Sequence, residues 1–385
     1  MRDAVIVDAV RTPVGRRNGA LSKSHAASVS AHVLNALVDR TGLDPGAVDD
    51  VIWGCVETLG MQSQCIARSA VLSAGWPEHV PGVTVDRQCG SSQQAVHQAA
   101  AGVISGQYDI AVAGGVELMS AVPIGTAARV GDFGEAYAPL ARERYRGTGY
   151  ARGGAPQMIA DEYGITRADM DQHALDSHER TARAIDEGRF VGQIAPIPVD
   201  GGASLFDTDE GVRRGGTLES LGALRPAFSA EGTITAATSS QVSDGSAALL
   251  VTTSEIARAN GWRPMARIHT AVVTGSDPVA NLKGTIPATA KVLARAGLSL
   301  SDIGTFEINE AFASVTLSWL TETGADYRLM NPYGGAMAIG HPLGGSGARL
   351  MTTMVHRMRD EGIRYGLQSM CEGGGMANAT VLELL

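Results

Sequence analysis

The chain has 385 residues, 44% of them hydrophobic, enough to bury a large core in one or two domains. A net charge of −9 with no long basic run excludes an ordinary nucleic-acid binder, and no apolar run reaches the roughly 18 residues that a membrane span needs. Four cysteines without paired spacing make neither a disulfide framework nor a zinc site, and Arg2, Asp3, Asp8 and Arg11 come too early for a signal peptide, so a reducing cytoplasm is expected.

Gly42-Leu43 opens a turn into an apolar strand, Val51-Ile52-Trp53. A second strand, Val83 to Val85, leads into Asp86-Arg87-Gln88-Cys89-Gly90-Ser91-Ser92. Cys89 is expected to begin a small-residue helix that runs to about Ser105. A thiol there feels the positive end of the helix dipole, which should lower its pKa below the free value of about 8.5. Its own N–H, unpaired at the helix start, can help bind an oxyanion. A lone cysteine is otherwise a small buried hydrophobe, but the flanking glycines and serines keep the approach to this sulfur open. The strand Asp109 to Ala113 follows.

From 120 to 241 the pattern changes. This stretch is rich in Gly and Arg and shows one clear helix, from about Arg167 to Glu187, with capping chemistry at Thr166 and Asp169. Such an insertion would lie over a sheet core as a lid or loop domain. The continuously apolar run Ala247 to Val251 then reads as a buried strand.

The first pattern now recurs. Gly297-Leu298 opens a turn into the strand Phe306-Glu307-Ile308, and Gly344-Gly345-Ser346 stands where Cys89-Gly90-Ser91 stood, both at an offset of 255 residues. Each Gly-Ser pair opens a helix and then a strand, the second from Gly366 to Met370. Two α/β halves of similar topology are expected. The second half carries three polar frames: Asn309-Glu310-Ala311-Phe312-Ala313, Gly334-Gly335-Ala336-Met337-Ala338-Ile339-Gly340-His341-Pro342-Leu343-Gly344, and Cys371-Glu372-Gly373-Gly374-Gly375. Proline and glycines around His341 suit a presented imidazole. Cys371 is either a proton donor and acceptor or an apolar strand end.

Together these four frames resemble the signature stretches of the thiolases, over essentially the whole chain. Arg11-Thr12-Pro13-Val14-Gly15 and Gly114-Gly115-Val116-Glu117-Leu118-Met119-Ser120 fit the same family. The resemblance implies two similar βαβαβαββ halves in a five-layered α-β-α-β-α core. Residues 1–119, completed by about 242–263, would form one half, 264–385 the other, and 120–241 a loop domain over both. It also implies acyl transfer through Cys89, with His341 activating the thiol and helping to hold the thioester oxygen, and Asn309 positioning a water at that oxyanion site. Cys371 would move the α-proton, and the N–H groups of Cys89 and Gly373 would form a second oxyanion hole. Coenzyme A is then a substrate and no cofactor is permanently bound. Ser240, in the run Thr235 to Gly245, and Arg213 fall at the family's CoA-contacting positions, and Arg142, Arg144 and Arg146 could serve its phosphates. A solvated face is the plain reading of those arginines.

Two positions depart from the family pattern. Glu372 stands where a small residue is usual, and a carboxylate pointing inward there would raise the Cys371 pKa. A CoA-contacting histidine is replaced near Ala151. The run Ser240-Gln241-Val242-Ser243-Asp244, with Asp86 to Cys89 and Asn309 to Trp319, looks closest to thiolases of steroid side-chain breakdown. Homo-oligomers are expected, a dimer rather than a tetramer because 120–131 is short for a tetramerising loop. The other readings are a biosynthetic acetoacetyl-CoA thiolase, a one-cysteine condensing enzyme of the same fold, and a catalytically silent lipid-binding member.

Overall fold

The computed structural model describes residues 2–129, 134–145 and 154–385. The first half runs β1 (Val5–Arg11), β2 (Gly15–Arg16), α1 (Ala26–Thr41), β3 (Asp50–Gly54), α2 (Ile66–Ser73), β4 (Gly82–Val85), α3 (Ser91–Ser105) and β5 (Ile110–Leu118). The insertion carries α4 (Pro139–Arg144), α5 (Gly154–Tyr163), α6 (Arg167–Asp186), a hairpin of β6 (Ile197–Val199) and β7 (Ser204–Phe206), and α7 (Leu218–Gly222). The chain returns through β8 (Ser243–Thr252) and α8 (Ser254–Ala259). The second half is β9 (Ala266–Gly275), α9 (Thr285–Ala296), β10 (Thr305–Ile308), α10 (Ala313–Thr323), α11 (Leu343–Glu361), β11 (Tyr365–Glu372) and β12 (Met376–Leu384).

The repeat seen in the sequence is a repeat of topology. In the first half β3 and β5 are parallel, β8 is antiparallel to β5, and β1 is antiparallel to β8. In the second half β10, β11, β12 and β9 repeat that order and those directions. A short antiparallel pairing of β1 with β9 joins the two half-sheets. Helices α3 and α11 pack against each other between them, α11 touching β5 and β8 on one side and β10 and β11 on the other. Helices α1 and α2 cover the outer face of the first half-sheet, and α9 with α10 that of the second. The layers are therefore α-β-α-β-α. Every residue of α11 from Leu343 to Met358 is buried, as expected of a helix in a central layer with no solvent face. No helix among the described residues is long and apolar enough to cross a membrane.

The central layer is held at its helix starts by contacts too close for any side chain. A Cβ on Gly54 would lie 2.5 Å from the Ser92 nitrogen and 2.6 Å from the Gly344 carbonyl oxygen, and one on Gly344 would lie 2.6 Å from the Cys55 Cα. The Ser92 hydroxyl also accepts the Ala348 N–H at 2.9 Å, tying α3 to α11. The first turns of both helices thus meet over the end of β3.

Several elements differ from the sequence expectation. Helix α3 starts at Ser91 with Gly90 as its N-cap, so Cys89 precedes the helix instead of beginning it. The strand expected over 109–113 continues to Leu118. The expected helix ends at Asp186, and Thr166 and Asp169 form its capping box. The insertion also holds three further short helices and a hairpin, whose Gly-rich, polar sequences carry little periodic signal.

One buried ion pair fastens the insertion to the core. Arg11, at the end of β1, donates to both Asp209 carboxylate oxygens at 2.7 and 2.9 Å, and its Nε donates to Gln193 Oε1 at 2.9 Å. Both charged side chains are fully buried. Asp209→Ala leaves Arg11 buried without its counter-charge and should cost about 3–5 kcal/mol in a denaturant titration. A loss under about 1 kcal/mol would mean that water replaces the carboxylate.

Candidate active site

The site forms where the starts of α3 and α11 meet the ends of β10 and β11. After β4 the chain turns sharply before α3. Gly90 N–H donates to Arg87 O at 3.1 Å and Ser91 N–H to Gln88 O at 3.0 Å. Gln88 is left-handed, with φ of 50°, a conformation that costs a non-glycine residue about 1 kcal/mol or more. Asp86 Oδ1 accepts the Gln88 N–H at 2.7 Å, and the Ser91 hydroxyl accepts the Arg87 N–H at 2.9 Å. These bonds hold the strained turn and place Cys89 at its apex. The amide groups of Cys89 and Gly373 both hydrogen-bond its sulfur.

The dipole argument for a lowered Cys89 pKa is overturned. Burial pushes the thiol up, and the nearby Cys371 and Glu372 push it further, against the pull of the two amides. The field of one helix turn is worth about 1 kcal/mol and does not offset removal of the sulfur from water beside other acids. Cys89 is therefore a thiol at rest and needs a base.

His341 lies in the loop that leads into α11 and is buried. Its Nδ1 is 2.6 Å from the Ser346 hydroxyl, which itself donates to the Pro342 carbonyl at 2.8 Å. With that hydroxyl proton committed, Nδ1–H donates to Ser346 and the lone pair falls on Nε2. Nε2 is buried with no protein partner. Burial, and then the Arg349 cation, push the imidazole down to about 3, so it is neutral and can accept a proton.

Cys371 is in β11, and Asn309 directly follows the parallel strand β10. Asn309 N–H donates to Ser369 O at 3.1 Å, and its Nδ2 approaches Cys371 Sγ at 3.9 Å. The Ala311 amide also points at that sulfur. Burial raises the Cys371 thiol to about 12, Glu372 raises it too, and the Asn309 and Ala311 donors lower it. Cys371 packs with Ala155 and Ile159 of α5 and with Leu282, Ala311 and Val315, so the insertion covers the second thiol. Glu372, one residue on, packs under the Cys89 turn, where a Cβ on Gly90 would collide with its carboxyl.

Ser240 borders this centre: its N–H donates to Ala311 O at 2.9 Å. The next residue, Gln241, accepts the His341 N–H at 3.1 Å through its carbonyl and donates its side-chain amide to Met337 O at 2.7 Å and Gly211 O at 2.9 Å. Arg213 follows that anchor on the exposed rim, with its N–H on His178 Nδ1 at 3.0 Å. Arg142 is paired with Glu135, and Arg144 lies over the Tyr145 ring. Arg146 and Ala151 lie outside the described residues. Among the described residues no group of His, Cys, Asp and Glu could hold a metal ion.

Two buried carboxylates were not read as part of the site. Glu310 accepts from Ser177 Oγ at 2.7 Å, Asn331 Nδ2 at 3.1 Å and Met337 N at 3.1 Å, which locks the Asn309 loop to the loop before His341. Glu117 accepts from Val56 N, Gly344 N and Gln62 Nε2 at 2.8–2.9 Å, which locks the start of α11 to β5. Their signal in the sequence is an acid set within an apolar or small-residue run.

A rate measurement checks the protonated state of Cys89. A raised acid pKa leaves the thiolate fraction climbing about tenfold per pH unit. Iodoacetamide should therefore modify Cys89 of the free enzyme about tenfold faster at each unit from pH 6 to pH 8, by peptide mapping. A plateau near neutrality would show a thiolate at rest.

The family model for the N-terminal domain of thiolase matches residues 4–255, and that for the C-terminal domain matches residues 262–384. The steroid 3-ketoacyl-CoA thiolase FadA6 of Mycobacterium tuberculosis is 46% identical, covering 100% of this chain and 95% of that protein. The 3-ketoacyl-CoA thiolase of Erwinia tasmaniensis is 42% identical, with 100% of both chains covered. The crystal structure of the acetyl-CoA acetyltransferase of Bacillus anthracis superposes with a TM-score of 0.92 at 35% identity, covering 100% of this chain and 99% of that one.

Proposed function

The chain belongs to the thiolase family, and we propose that it is a degradative 3-ketoacyl-CoA thiolase, an acyltransferase that cleaves its substrate with coenzyme A through an acyl-Cys89. The observation that carries the reading is the pairing of a half-buried thiol, Cys89, with a buried one, Cys371, at the helix starts that also carry a neutral imidazole whose Nε2 has no protein partner.

Each step can be assigned to a group in place. His341 Nε2 takes the Cys89 proton, and the sulfur attacks the 3-keto carbonyl. The oxygen becomes an anion that the amides of Cys89 and Gly373 stabilise. The bond between C2 and C3 then breaks. Its electron pair stays on C2 as the acetyl-CoA enolate, which Cys371 protonates. The enolate oxygen faces the imidazolium N–H of His341 and a water held by Asn309, whose Oδ1 is buried without a protein partner. Acetyl-CoA leaves. Coenzyme A then enters and gives its thiol proton to the Cys371 thiolate, and its sulfur attacks the acyl-Cys89. Cys89 departs and recovers its proton from His341. The products are acetyl-CoA and an acyl-CoA two carbons shorter, and both thiols are restored.

Ser240 is placed to touch the pantetheine arm, beside the Asn309 loop. Arg213, on the rim and in no ion pair among the described residues, would meet the phosphates. The 46% identity to FadA6 supports a steroid side-chain 3-ketoacyl-CoA as substrate. Comparing kcat/KM for acetoacetyl-CoA, a medium-chain 3-ketoacyl-CoA and a steroid 3-ketoacyl-CoA tests this. The steroid thioester should be favoured by tenfold or more, as apolar discrimination of a large group allows, and a preference for acetoacetyl-CoA would return the chain to the biosynthetic reading. The working form is a homodimer: β4 ends the sheet with only β3 beside it, and exposes Val83, an open edge that a second copy can cover. Light scattering that reads a monomer mass would overturn it.

One variant pair separates the thiols. Cys371→Ala should accept an acyl group from an acyl-CoA by intact-mass spectrometry, because that step needs only Cys89, His341 and an oxyanion site. It should lose cleavage of 3-ketoacyl-CoA by two to four orders of magnitude, because the enolate has no proton donor. Cys89→Ala should fail at both. Near wild-type thiolysis by Cys371→Ala would make Cys371 a bystander.

A further inference from the structure

Glu372 is a buried acid at the site that this mechanism leaves unused, and unlike Glu117 and Glu310 its carboxyl has no hydrogen-bond partner. Alternation along β11 sends its side chain to the face opposite Cys371, and the carboxyl packs under the turn that carries Cys89. It is so close to Gly90 that no side chain fits there, and Asn378 Nδ2 lies beside it. It is completely buried, and neither carboxyl oxygen has a hydrogen-bond partner. The Asn378 amide that could reach it donates instead to Gly90 O at 3.0 Å. An ionised carboxylate without donors in such a place is costly, so the group is a neutral acid at rest.

We propose that Glu372, packed without a hydrogen-bond partner under the turn that carries Cys89, is a positioning residue that governs how readily Cys89 and Cys371 give up their protons. The charges around it are few. The turn before α3 presents Arg87 and Asp86 beside Cys89, the carboxyl's own strand presents Cys371, and β12 presents only the neutral Asn378 and Met376. On α3, His97 lies beyond Arg87 and is neutral, pushed down to about 3 by burial and by the Arg87 charge. Burial raises the Glu372 carboxyl to about 8, Arg87 pulls it down and Asp86 pushes it up. Asp86 is itself raised, by burial and by Glu57. Each thiol is in turn raised by Glu372. The sign follows. Below about pH 8 the neutral carboxyl leaves the thiols alone. Above it a negative charge opposes a second negative charge on sulfur, and thiolate formation lags.

The consequence is a site that does not grow more reactive without limit as pH rises. A thiolate formed without substrate is open to alkylation and oxidation, and the anion holds that back where hydroxide would favour it.

The rate of Cys89 alkylation by iodoacetamide between pH 6 and pH 9.5, located by peptide mapping, tests the idea. It rests on Cys89 being the nucleophile, but the readout needs no turnover, so its failure is distinct from failure of the thiolase reading. Wild type should rise steeply to about pH 8 and then bend to a shallower slope. Glu372→Gln should match wild type within about threefold at pH 7 and exceed it by about tenfold at pH 9.5, one pH unit of relief. Glu372→Ala should behave as Gln does, since only charge matters, and Glu372→Asp should keep the bend. A wild-type rise that stays straight through pH 9.5 overturns the proposal with no variant needed. So does a Gln or Ala profile that superimposes on wild type, or an Asp profile that follows Gln.

Discussion

The active site depends on how closely two helix starts approach one another. Helices α3 and α11 come from the two halves of the chain and meet over the end of β3, where backbone touches backbone at Gly54, Gly344 and Ser92. Cys89 lies just before one helix and His341 just before the other. Any side chain at the crossing would push the helices apart and with them Cys89 and His341. The same contact forces the helices into the interior, and with them the long buried face of α11. A five-layered fold is the outcome, since a helix buried all round must have a sheet on either side.

Burial then decides the charge state. Taking an acid out of water favours its neutral form, and taking a base out of water does the same in the other direction. The two thiols and Glu372 are raised, and His341 is lowered. All four are neutral at rest. Moving one proton from sulfur to imidazole creates a charge pair in a dry site, which is unfavourable until an oxyanion and its donors are present. In the proposed mechanism the amides of Cys89 and Gly373 supply donors at one place, and the imidazolium and a water held by Asn309 supply them at another. Charge separation is thereby coupled to the substrate's own chemistry, which is what transition-state stabilisation by fixed dipoles requires.

Much of this was legible in the sequence. The offset of 255 residues predicted two halves, and they share strand order and direction. Of the residues in the four frames, the fold sets Cys89 and Asn309 against Cys371 and puts His341 just before α11, whose first turn meets that of the Cys89 helix. The charge state of Cys89 was not legible, because the dipole argument is local while the burial that raises the thiol comes from the folded surroundings. The helix start was misplaced by two residues because Gly90 is the cap, and a cap is not distinguished from a first helical residue by composition. Most of the insertion's elements were missed for a related reason. They are short and polar, and they take their stability from the core they rest on, as the Arg11–Asp209 pair illustrates.

The insertion reaches the second thiol and the Asn309 loop. Its helix α5 places Ala155 and Ile159 against Cys371, and its helix α6 places Ser177 on Glu310, next to Asn309. Lys283 and Glu162, paired at 2.7 Å, fasten α5 to the loop before α9. In the proposed mechanism the proton that Cys371 gives to the enolate therefore moves under a cover built from the insertion. Changing that cover changes how much water reaches the thiol, and with it the ease with which the thiol parts with its proton. The apolar side chains of α5 thus set the surroundings of a thiol almost 220 residues further along the chain.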